Sequence, residues 1–261
     1  MARVDAMPRW LAGVTGALFA ASVATTIAWA RSMAAMDMPM PGGWTMSMTW
    51  MRLPDQSWPG AAASFAAMWL VMMVAMMLPV LVPALRRYAA VAGRNGAPVG
   101  PLAAAAGAAY FAVWGAAGLV VFPFGAALAA IQMSQPAAAR AVPFAVGAVL
   151  LAAGAMQFTA AKAQALACCR GAPRRGEPVT PDLPAAWRHG VRLGLHCLRC
   201  CSNLMAVLLV LGVMDLGVMA AVTVAITVER VAPAGVLAAR IVGAGVVLAA
   251  LAQLALAAAQ A

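Results

Sequence analysis

Seven stretches of this chain, 10–30, 60–85, 102–131, 141–161, 195–213, 216–228 and 235–257, carry at most one charged residue each. Lipid offers backbone N–H and C=O groups no partner, so a segment entering it must satisfy them internally, as a helix or a closed barrel. Unbroken apolar runs near ~20 residues suit helices. The expected fold class is therefore all-α, a polytopic transmembrane helical bundle of about seven spans. The sixth run is the shortest and touches Asp215 and Glu229. Composition points the same way. Charged residues make up 9% of the chain against 65% hydrophobic, where a soluble domain carries roughly 25% charged residues. So few charges cannot cover a water-facing surface around 261 residues.

The charge that exists is mostly basic, net +10. In a soluble chain this would suggest nucleic acid. Here the arginines sit between apolar runs, so they read as topology signals, and no nucleic-acid partner is expected. With the N-terminus in the cytoplasm, all 17 Lys and Arg except Arg31, Arg52 and Arg140 fall on or near the inner side. The C-terminus then lies outside, and the expected location is a bacterial inner membrane. Arg3 and Arg9 precede an apolar run ending Ala28-Trp29-Ala30, which has the form of a signal peptide with an A-x-A cleavage site. The run is long for a signal core, so an uncleaved anchor is expected; cleavage would leave six spans. The whole of 1–261 reads as one membrane domain, with a methionine-rich outer loop at 31–59 and a basic cytoplasmic loop at 166–194.

All five cysteines, Cys168, Cys169, Cys197, Cys200 and Cys201, map to the inner side. That compartment keeps thiols reduced, which favours free thiols or metal ligands over a disulfide framework. The densest group is His196-Cys197-Leu198-Arg199-Cys200-Cys201. On a helix Cys197 shares a face with Cys200 and Cys201, at i+3 and i+4, and His196 pairs with Cys200. Thiolates suit soft ions such as Cu(I), and also Zn(II). Arg199 beside them favours the thiolate form. The alternative, that these are small residues packing like alanine, fits one cysteine better than three with a histidine. One helix face cannot easily close a tetrahedral site. Cys168 and Cys169, brought back to the same membrane side by the basic loop, can supply a further ligand.

The outer loop carries seven methionines, Met33, Met36, Met38, Met40, Met46, Met48 and Met51. A thioether is the soft donor that survives an oxidising compartment without forming disulfides. Met36, Met38, Met40, Met46 and Met48 are thus candidate Cu(I) ligands. Anchoring in the lipid interface with Trp44, Trp50 and Trp58 is the alternative. The second span repeats the pattern. Met68, Met72 and Met76 lie along one face, with Met73 and Met77 beside it. Stripes of this kind usually serve flexible packing, but Pro79 and Pro83 would kink the helix and free backbone carbonyls, as at cavities. Met72 and Met76 are therefore candidates too. Gln157, Thr159 and Lys162 close the fourth span, and Asp215 and Glu229 bracket the sixth. Acids at membrane depth are functional candidates because burying them is expensive, though these two can equally lie at the interface.

These stretches add up to a resemblance. Met68-Trp69…Ala75-Met76-Met77-Leu78-Pro79…Pro83, Tyr110-Phe111-Ala112-Val113-Trp114, Gln157-Phe158-Thr159…Lys162…Cys169-Arg170, and Gly190…Gly194-Leu195-His196-Cys197…Cys200-Cys201…Leu204-Met205…Gly212-Val213-Met214-Asp215…Met219…Glu229-Arg230 together resemble a bacterial domain-of-unknown-function family described as predicted metal-binding integral membrane proteins. The chain departs from that pattern at Met156, Ala165, Arg199 and Ser202. The resemblance implies a membrane-embedded helical protein that binds metal, with Cys169 carried over as a ligand rather than Cys168.

The reading that follows is a membrane protein binding a soft metal, Cu(I) ahead of Zn(II), for transport, delivery or homeostasis. Its expected partners are the bilayer and a metallochaperone or metalloenzyme. A membrane thiol redox enzyme or assembly factor, and a structural subunit, are the alternatives. No catalytic motif is present, so no enzymatic activity is expected, and neither an ATP-binding P-loop nor a P-type phosphorylation loop is there to drive pumping. The arginine asymmetry is testable with reporter fusions at Gly93, Gly176 and the C-terminus. Cytoplasmic activity is expected for the first two and none for the third; an active cytoplasmic reporter at the C-terminus overturns the expected orientation.

Overall fold

The computed structural model describes residues 9–34, 38–41, 43–52, 56–94, 98–170 and 182–259. Among them are eight α-helices and one two-stranded hairpin. The helices are α1 (Arg9–Ala34), α2 (Trp58–Arg94), α3 (Val99–Ser134), α4 (Pro136–Met156), α5 (Ala160–Arg170), α6 (Leu183–Leu211), α7 (Leu216–Val231) and α8 (Gly235–Ala259). The hairpin pairs β1 (Met38–Met40) with β2 (Trp44–Met46), antiparallel, with Met38 opposite Met46 and Met40 opposite Trp44. The all-helical class expected from the apolar runs is the one observed.

Six helices, all but α5 and α7, are long and apolar enough to cross a membrane, one fewer than the sequence suggests. The difference lies in α7. Its 16 residues rise about 24 Å at ~1.5 Å each, short of the ~30 Å hydrocarbon core. Asp215 is its N-cap, taking the Val218 N–H at 2.9 Å, which accounts for an acid at that position. A second correction concerns the basic loop. Residues 183–194, expected as loop, form the first turns of α6. Asp182 caps that helix on the Ala185 N–H, and Pro184 occupies the first turn, where a missing N–H costs nothing. Arg188 and Arg192 lie on its exposed side, so apolar run length alone missed it. The fourth span also ends sooner, at Met156, and Thr159 receives the Lys162 N–H at the start of α5.

Helix packing is tightest where small residues let backbones meet. On α6, Gly190 and Gly194 lie one turn apart. A Cβ at Gly190 would stand 2.1 Å from the Ala106 carbonyl oxygen of α3, and one at Gly194 3.1 Å from that of Tyr110. Glycine is therefore obligatory at Gly190, and the close approach sets Tyr110 against the cysteine face of α6. Gly147 and Gly154 of α4 do the same against Leu254 and Val247 of α8. Between α2 and α3 the Trp69 ring lies over Gly118, and its Nε1–H donates to the Trp114 carbonyl at 2.9 Å.

The hairpin covers one end of this bundle. Trp44 Nε1 donates to the Ala139 carbonyl at the start of α4 at 3.0 Å. Trp50 lies against Gly125 of α3 and 5.2 Å, ring to ring, from Phe65 of α2. The cysteines lie deeper, about midway along α6, on the side of the bundle toward the end where α2 and α7 finish.

Candidate metal centre

Four of the five cysteines meet. Cys197, Cys200 and Cys201 project from one face of α6 and are essentially fully buried, and Cys169 of α5 is buried against them. The Cys197 and Cys201 sulfurs are 3.8 Å apart. Cys200 is close enough to interact with both Cys169 and Cys201, so the thiols adjoin in the order 169, 200, 201, 197. All are free. The Cys169 Sγ–H also donates to the His196 carbonyl at 3.1 Å. On α5, outside the six long apolar helices, the Cys169 thiol is pushed up by the neighbouring Cys200 and then by burial. Among the described residues no group of three or more His, Cys, Asp and Glu stands at metal-holding geometry; the sulfurs touch pairwise, in a chain.

Two groups that the sequence pattern did not single out as site residues close over Cys197. Tyr110 of α3 points its hydroxyl at the sulfur, 3.0 Å away, and the Arg230 guanidinium of α7 reaches it at 2.8 Å. They are separated from Cys197 by 87 and 33 residues, so no local spacing joins them. Below the thiols lies a buried ion pair. Lys162 Nζ stands 2.7 Å from Glu229 Oε2, with the side chains 5% and 1% exposed. The same ammonium donates to the Cys200 carbonyl at 2.8 Å and to Asn203 Oδ1 at 3.4 Å. Gln157 Nε2 donates to the other Glu229 oxygen at 2.7 Å, and Asn203 Nδ2 holds the Ala153 carbonyl of α4. Glu229 is thus an interior acid, whereas Asp215 is a helix cap.

The remaining candidates separate. His196 is exposed, and its backbone rather than its imidazole touches Cys169. At about 100° per residue it sits ~40° beyond Cys200 around α6, on the rim of the cysteine face. Cys168 is exposed and turned away from the others. Met72 and Met76 are buried with Met68, Met73 and Met77 in the same core cluster as the cysteines. In the hairpin Met46 is buried and Met38 and Met40 are half-buried, as is Met48 in the short turn that follows it. Met38, Met40 and Met46 share the face that also carries Trp44, and Trp44 bonds α4, so these thioethers face the bundle. Met36 lies outside the described residues.

Leaving one charge of the interior pair without its partner costs about 3–5 kcal/mol, while apolar replacement of both is close to neutral. Lys162→Met and Glu229→Gln should each lower the unfolding midpoint of the purified protein sharply. Lys162→Met combined with Glu229→Leu should recover most of the loss. Single variants as stable as the parent would contradict the burial of this pair.

No curated protein and no solved structure matches the chain. A family model does, over residues 66–253, and it is described as copper chaperone, PpoB2. The match runs from the first half of α2 into α8, takes in every cysteine and the Lys162–Glu229 pair, and begins after the methionine hairpin. It agrees with the resemblance drawn from the sequence as far as a metal-related family. Because the match spans well over half of its length, the chain belongs to the PpoB2 copper chaperone family.

Proposed function

We propose that this chain is a membrane-embedded Cu(I)-binding protein that passes the ion between the two ends of its helical bundle. The observation that carries the reading is the contact of Cys169, Cys200, Cys201 and Cys197 in one buried cluster under Arg230. Thiolates are soft donors with high affinity for Cu(I). Burying them as anions requires a cation at hand, and Arg230 supplies it at 2.8 Å from Cys197. The 3.8 Å between Cys197 and Cys201 is within the ~4.6 Å that two metal–sulfur bonds of ~2.3 Å can span. The family's description, copper chaperone, supports copper over zinc.

The methionines fit a supporting role. Neutral thioethers bind Cu(I) and hardly bind Zn(II). Met38, Met40 and Met46 face the bundle at one end, and the buried methionines of α2 lie in the core between that end and the thiols. An ion taken up weakly by thioethers would move toward thiolates that hold it more tightly. The arginine distribution supports a cytoplasmic thiol end in a bacterial inner membrane, and a metallochaperone or metalloenzyme would receive or supply the ion. Nothing in the site resembles a catalytic nucleophile–base pair, so the reading is binding and transfer rather than catalysis.

The direct test is metal content. Protein purified with Cu(I) under reducing conditions should carry roughly one copper per chain on the thiol cluster. Cys197→Ser with Cys201→Ser should remove most of it, while far-ultraviolet circular dichroism stays helical. Unchanged copper in that variant would place the ion elsewhere and return the cysteines to a packing or redox role.

A further inference from the structure

The thiol cluster is not sealed. A partly open cavity of about 260 Å³, lined by Val80, Pro83, Arg87, Cys169, Arg230 and Val231, leads to it from the end opposite the hairpin. The volume is that of eight or nine waters at ~30 Å³ each, just under the usual range for small-molecule pockets, and too small for a folded partner. Its wall has three chemistries: a thiol, two guanidinium groups and a short apolar side. Cys169 is in contact with Cys200, and Arg230 with Cys197, so whatever occupies the cavity is one contact from the buried thiols. Arg87 is exposed at the rim, near the end of α2.

We infer that this cavity is a docking port for a small carboxylate-bearing thiol that carries Cu(I), and that Cys169 is the residue that takes the ion from it. The inference rests on the thiol cluster as the copper site. Guanidinium groups recognise carboxylates through paired, charge-assisted hydrogen bonds, and Cys169 offers the soft donor. The exchange is balanced without oxidation. The Cys169 sulfur forms a bond to Cu(I), one carrier sulfur–copper bond breaks, and the Cys169 proton leaves on the departing carrier thiolate. Cys200 then displaces the second carrier thiol in the same way, its proton leaving with it. Copper remains Cu(I) throughout, and two thiolate bonds replace two.

The test uses the full chain in detergent and compares Cu(I) delivered by mercaptosuccinate with Cu(I) delivered by uncharged 2-mercaptoethanol. Loading is followed as copper that stays with the protein after rapid desalting from the carrier. The anionic carrier should load the parent protein about tenfold faster at low salt. Arg87→Gln should bring the ratio close to one, with the same final copper per chain. Arg86→Gln, an exposed neighbour that does not line the cavity, should keep the ratio. Equal rates for the two carriers in the parent, or an equal effect of Arg86→Gln and Arg87→Gln, overturns the port. Copper-free methylthiosuccinate, which keeps the carboxylates but has no thiol to consume the alkylating reagent, provides a second readout. It should slow alkylation of Cys169 in the parent and lose that effect in Arg87→Gln. No protection by methylthiosuccinate overturns the port as well. If neither carrier loads copper while this protection persists, the port stands and the copper reading of the cluster fails.

Discussion

The ion pair between Lys162 and Glu229 is the interaction around which the rest of the site is built. Two charges buried to 5% and 1% exposure in an apolar bundle tolerate no other arrangement at modest cost. Lys162 belongs to α5, Glu229 to α7, and the same ammonium bonds the Cys200 carbonyl and Asn203 of α6. One side chain thereby fixes the relative position of the three elements that carry Cys169, the Cys197–Cys201 face and Arg230. On a helix, consecutive residues point about 100° apart. Glu229 can therefore face the lysine while Arg230 faces the cysteine. The close α3–α6 contact at Gly190 and Gly194 adds Tyr110 from the fourth side.

This organisation explains how thiols can be both buried and chemically useful. An isolated thiolate in the bundle would bear a large desolvation cost. Arg230 and the Tyr110 hydroxyl offset it at Cys197, and the adjoining order of the four sulfurs gives each a soft neighbour. Because the sulfurs touch pairwise rather than enclosing a point, gathering three around one ion requires a rotamer change. On the proposed copper reading, a site of that kind suits an ion held for transfer better than one held for structure, where closed tetrahedral geometry is the rule.

Much of this was legible in the sequence, for identifiable reasons. Unbroken apolar runs of about 20 residues suit helices rather than barrel strands, so the helical class followed from their length. Cys197, Cys200 and Cys201 announced a shared face because three and four residues bring side chains together on a helix. The preference for Cys169 over Cys168 rests on the family resemblance; in the structure Cys169 is buried and Cys168 exposed. What stayed hidden depended on distance in the chain. Tyr110 and Arg230 reach Cys197 across helices, and Glu229 could not be told from Asp215 until its partner on α5 was known. His196 was a reasonable candidate by spacing, yet the arc of α6 that faces the core ends just short of it. In the first turns of α6, arginines on the exposed side interrupt an apolar run without interrupting a helix, so run length places the start of that helix too late.

The methionine hairpin and the thiol cluster stand in different relations to the family. The match begins at residue 66, so the cluster, α2 and Arg230 lie within it and the hairpin precedes it. Copper chemistry at the cysteines is accordingly the central claim, and the thioethers are secondary to it. X-ray absorption at the copper edge of the Cu(I)-loaded protein tests that claim most directly. The account predicts a first shell of sulfur alone, two or three atoms at about 2.2–2.3 Å, collapsing when Cys197 and Cys201 are replaced by serine. A shell dominated by nitrogen or oxygen, or a sulfur shell untouched by those replacements, would contradict it.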